Sequence, residues 1–75
     1  MAMDVQSVIQ KAIDGDPIIT DAVIGVEVKK PGLFQKGNIH LIGSVHSEES
    51  RRRAEKIALE HAGGMKVVNE LVVKK

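Results

Sequence analysis

The chain has no cysteine, tryptophan or tyrosine, one phenylalanine and two prolines in 75 residues. Without thiols there is neither a disulfide framework nor a thiolate metal site, so the core must hold the fold, and the redox compartment stays open. Phe34 is the only aromatic, so that core has to be built from Val, Ile, Leu, Ala and Met, which suits two thin layers. Aromatic platforms for stacking nucleobases are missing as well. Charge of one sign is also lacking: 11 basic and 10 acidic residues leave a net +1, so only local clustering could attract nucleic acid or anionic lipid. No segment approaches the roughly 20 apolar residues of a membrane span, and the start, MAMDVQSV, is not a basic stretch followed by an apolar run. The chain as it stands is expected to be soluble and unexported, and cytoplasmic if it is the complete gene product. One domain, residues 1–75, is expected; a domain of this size buries about 60% of its unfolded surface and has no room for a deep catalytic cleft.

Periodicity is what the chain does have. Asp4 can cap a helix whose Val5, Val8, Ile9, Ala12 and Ile13 form one apolar stripe. Gly15, in a left-handed cap, with Asp16 and Pro17 is expected to end that helix. From Val23 to Lys29, Ile24, Val26 and Val28 alternate with Val23, Gly25 and Glu27, the two-residue period of a strand. Residues 38–45 repeat the pattern, with Ile39, Leu41, Gly43 and Val45 on one side and Asn38, His40, Ile42 and Ser44 on the other. The two strands should form an antiparallel hairpin whose long connection, KKPGLFQKG, carries Pro31, Gly32 and Gly37 as turn residues. Ser47 can cap a second helix, with Glu48 and Glu49 in its first turn, Ala54, Ile57, Ala58 and Ala62 as its apolar stripe and Gly63-Gly64 as its end. A last strand is expected over 65–73, with Val67, Asn69, Leu71 and Val73 on one face and Val68, Glu70 and Val72 on the other.

The order α-β-β-α-β predicts an α+β fold, a two-layer α/β sandwich in which a three-stranded sheet carries both helices on one face. The helical crossover should be right-handed and place the second and third strands parallel. Strand order stays open, because the third strand could instead lie antiparallel beside the first.

No catalytic constellation is present: no nucleophile elbow and no phosphate loop occur, so the chain reads as no enzyme, with no cofactor. No metal site is expected either, because His40 and His46 lie roughly 20 Å apart along a strand and His61 falls on the second helix's apolar stripe, as an edge-of-core residue. Arg51, Arg52 and Arg53 fan over about 200° of a helix and cannot form one patch. Glu48 stands four residues before Arg52 and Glu49 four before Arg53, which favours helix ion pairs over nucleic-acid binding.

The order and spacing of KGNIHLIGSV, SEESRRRAEKIALEHAGG and MKVVNELVV resemble the BON domain family across nearly the whole chain. Asp16-Pro17, Gly37, Gly43, Ala54 and Val68-Asn69-Glu70 occupy matching places, whereas residues 30–36 look like an insertion, since the family usually joins its first two strands more tightly. The resemblance implies a bacterial binding module of phospholipid membranes, of the periplasm or cell envelope, and of osmotic stress; some multidomain members are implicated in ligand or potassium binding.

Two surfaces follow from the residues themselves. Between Glu27 and Glu48 there is no carboxylate, while Lys29, Lys30 and Lys36 flank Leu33 and Phe34. Cations beside an exposed apolar tip suit peripheral contact with anionic phospholipid; the alternative is that Leu33 and Phe34 fold back over the sheet edge. The helix-free sheet face should show Val23, Ile42, Val68 and Val72, either an ordinary half-apolar face or a docking surface for a neighbouring domain, another protein or a second copy in a weak homodimer. Gly37, Gly43 and Asn69 are read as structural: Gly43 as permitting close helix approach or a bulge, and Asn69 as a satisfied buried amide.

Overall fold

The computed structural model describes residues 4–19, 22–29 and 37–74. They form α1 (Val5–Asp14), β1 (Val23–Lys29), β2 (Asn38–Val45), α2 (Glu48–Glu60), β3 (Lys66–Asn69) and β4 (Val72–Val73). β1 and β2 pair antiparallel, from Val23 opposite Ser44 to Lys29 opposite Asn38. After α2 the chain returns parallel to β2, with Asn38 opposite Lys66, so β2 is central and the third strand lies beside it rather than beside β1. Both helices cover one sheet face, and the fold is the α+β sandwich that the periodicity indicates.

The core lies between those layers. Ile9 and Ile13 of α1, Ala54, Ile57 and Ala58 of α2, Val26, Ile39, Leu41 and Val45 of the sheet, and Leu71 between β3 and β4 belong to one buried cluster. The helices begin where their caps stand: Asp4 accepts from the Ser7 N–H at 2.8 Å, and Ser47 Oγ accepts from the Ser50 N–H at 3.1 Å. Their ends differ from expectation. Gly15 closes α1 in right-handed geometry, φ −90°, because its N–H still reaches the Lys11 carbonyl at 3.0 Å. The turn is made one residue later by Asp16, whose Oδ1 accepts from the Ile18 N–H at 2.9 Å. His61 is an exposed cap rather than an edge-of-core residue, because α2 stops at Glu60 and Ala62 takes the buried place.

Asp16 also ties the layers' periphery together, since its Oδ2 accepts from Arg53 Nε at 2.7 Å. Arg53 thus leaves the expected partner Glu49 for a carboxylate that is 6% exposed and already oriented by Ile18. The Arg53 hydrogen bond, reinforced by the Ile18 N–H, holds the Asp16 carboxyl below its ordinary value of 3.8. A lowered carboxyl contributes stability above the unfolded value and loses it as pH falls through the folded one. Asp16→Asn, which keeps the oxygen facing Ile18, should therefore melt below the parent at about pH 7, and the gap should shrink as pH falls below the ordinary carboxylate value. Thermal melts at several pH values check this; a gap unchanged in acid would show that the charge contributes nothing.

The expected single last strand is broken, and Gly43 is where it breaks. Gly43 has φ +121°, and a β-carbon there would lie 1.8 Å from the Val23 carbonyl oxygen. Its missing side chain makes room for the β1 backbone, not for a helix, and the β1–β2 register runs through it without a bulge. On the other side of β2, pairing with the last strand stops after Leu41 opposite Asn69 and resumes at Ser44 opposite Val72. Asn69 fills the gap: its Oδ1 accepts from the Leu71 N–H at 3.0 Å, and its Nδ2 donates to the Arg51 carbonyl of α2 at 3.2 Å.

Candidate functional site

Alternation and register lay out the helix-free face as four rows across β1, β2 and the last strand segments. The first row is Lys29, Asn38 and Lys66, and the second is Glu27, His40 and Val68. Gly25 and Ile42 form the third, and Val23, Ser44 and Val72 the fourth. Glu70 joins this face beside His40, its Oε2 lying 3.6 Å from His40 Nδ1. The face therefore runs from a cationic end, through an imidazole between carboxylates, to an aliphatic end.

The aliphatic end is not uniform. Val23 is 75% and Val72 55% exposed, flanking Ser44, whereas Ile42 and Val68 are half-buried. Ile42 is sheltered because it leans over Gly25: a β-carbon there would come within 3.3 Å of Ile42 Cγ1. At the opposite end Lys29 lies 3.8 Å from Glu27. Lys66 is the residue that the sequence reading missed; its alternation with Val68 was visible, but its place in the same row as Lys29 required the parallel register with β2. Lys30, Leu33, Phe34 and Lys36, named from the sequence as a membrane-contact tip, lie outside the described residues. Gly37 is buried just before β2.

Other candidates disperse. Arg51 and Arg52 both turn to Glu48, at 2.9 and 3.6 Å, while Arg53 goes to Asp16, so the arginine run presents no common surface. A cleft of about 150 Å³ between α1 and β1 is lined, among the described residues, by Ile13, Asp14, Ile19, Ala22 and Ile24. Among the described residues no group of three His, Asp or Glu is placed to hold a metal ion, and no helix is long and apolar enough to cross a membrane.

The arrangement of helix, hairpin, capped helix and returning strand, with Val68-Asn69-Glu70 at the break beside Gly43, agrees with a match to the family model described as BON domain, over residues 3–75. The chain belongs to the BON domain family. Comparison with curated proteins and with solved structures returns no significant match. BON domains are small binding modules, generally non-catalytic and often related to phospholipid or the cell envelope. In this BON domain the helices cover one face of the sheet and form the core with it, and the other face carries no helix.

Proposed function

We propose that this BON domain is a single, non-catalytic module that associates peripherally with anionic phospholipid at the cell envelope through the cationic end of its open face. The observation that carries this reading is the row Lys29, Asn38, Lys66, which puts cations from β1 and β3 on one edge of the face. The sequence between Lys29 and Gly37 adds Lys30 and Lys36 around Leu33 and Phe34. Lysines near an anionic surface contribute about 1 kcal/mol each, and an apolar pair entering the interface supplies what charge alone does not.

Sedimentation with phosphatidylglycerol vesicles tests the reading. Binding should fall steeply with salt, and Lys29→Gln with Lys66→Gln should weaken it about 30-fold, the equivalent of about 2 kcal/mol. Phe34→Ser should weaken it further. Binding that ignores both salt and these substitutions would defeat the proposal. A second reading, partner docking on the aliphatic end, draws on the exposure of Val23 and Val72. Vesicle-free self-association lost in Val72→Asp would move the function there.

A further inference from the structure

His40 sits in the middle of the open face in an electrostatically unfinished setting. Its side chain is 17% exposed, and Nδ1 is fully buried without a hydrogen-bond partner among the described residues. The Glu70 carboxylate lies 3.6 Å from Nδ1, just beyond hydrogen-bonding reach. Glu27 stands directly opposite on β1, and Val68 on β3. Lys29 and Lys66 occupy the next row on either side, so among the described residues the charged groups facing the ring are these two lysines and the two glutamates. With the ring neutral, the lysines and glutamates cancel. With the ring charged, the face is cationic.

From this geometry we infer that His40 is a proton-operated charge switch of the open face, with Glu70 as the latch that closes on the imidazolium. Imidazole is the side chain that changes charge between about pH 5 and 8. A proton taken from water leaves N–H groups on both ring nitrogens, so Nδ1 then donates toward Glu70 whichever nitrogen carried the hydrogen before. Glu70 is half-exposed, at 51%, and its carboxylate needs to move by less than about 1 Å to reach ordinary hydrogen-bond length. The new contact satisfies the buried nitrogen, draws the last strand against β2 and removes one carboxylate's repulsion from the surface. The attraction exists only while the ring is charged and the carboxylate ionised, so its stabilisation is present in mild acid and fades as pH rises. The consequence for binding rests on the phospholipid reading: contact with an anionic surface should strengthen as pH falls.

A double-mutant cycle with His40→Gln and Glu70→Gln, followed by urea unfolding, reads the latch without any ligand. The expected coupling is about fivefold in the unfolding equilibrium constant at about pH 5.5, and none at about pH 8. Coupling that is absent in acid, or equal at both pH values, overturns the switch. In parallel, the parent chain should bind phosphatidylglycerol vesicles about three- to fivefold more tightly at the lower pH. His46→Gln and His61→Gln should keep that response and His40→Gln should lose it; an unchanged response in His40→Gln overturns the link to binding. Absence of vesicle binding at every pH overturns the phospholipid reading and not the switch, which the cycle decides by itself.

Discussion

Gly43→Ala should leave the chain largely unfolded at 25 °C. At φ +121° any L side chain is strained by about 1–3 kcal/mol, and here the strain is the smaller part. The added carbon would sit 1.8 Å from the Val23 oxygen, 2.9 Å from the Val23 carbonyl carbon and 3.3 Å from the Ile24 Cα, all of them backbone. No side chain can swing aside, so relief requires β1 to separate from β2. A domain of this length has about 4–11 kcal/mol of stability in total, and losing the hairpin removes more than about 4 of it. Gly63→Ala is the control: at φ +61° it meets nothing within 4 Å, and it should cost only about 1–2 kcal/mol. Urea denaturation followed by circular dichroism separates the two; equal, modest losses would show that the β1 contact at Gly43 is slack.

Leu41→Ala should cost about 3–5 kcal/mol, with the midpoint of urea unfolding lowered and its slope unchanged. Leu41 is 0% exposed in the central strand, and its carbonyl accepts from the Glu70 N–H at 2.9 Å just before the break in the last strand. Ile9, Ile13, Ile39, Leu41 and Val45 are the largest fully buried side chains, and no described aromatic or disulfide can close over a void left among them. Leu41→Met, which conserves volume, should cost less than about 1.5 kcal/mol. If Leu41→Ala lost no more than Leu41→Met, the layers would have to be collapsing around the cavity, and the packing argument would fail.

Helix stripes, both N-caps, the strand alternation and the parallel crossover were legible because each depends on residues close in sequence. Ser47 with Ser50, or Ile39 with Leu41, carries its own geometry wherever the rest of the chain goes. Other features were not legible because their partners come from elsewhere. Arg53 has Glu49 within one turn but bonds to Asp16, 37 residues away. His61 continues the stripe by spacing, yet the helix ends before it. The break at Glu70 and Leu71 lies where β2 passes Ile42 and Gly43 on the neighbouring strand, and the valine-rich run gives no sign of it.

By itself the sequence determined the fold class and the family, since periodicity, caps and the placing of glycine and Val-Asn-Glu are local patterns that mark a two-layer sandwich whatever its strand order. Only the tertiary structure decided that β2 is central, that Gly43 yields to a strand, and that Lys29 shares a row with Lys66 while His40 meets Glu70. Those facts depend on register between distant segments, and register is set by how the layers pack rather than by the residues of any one strand.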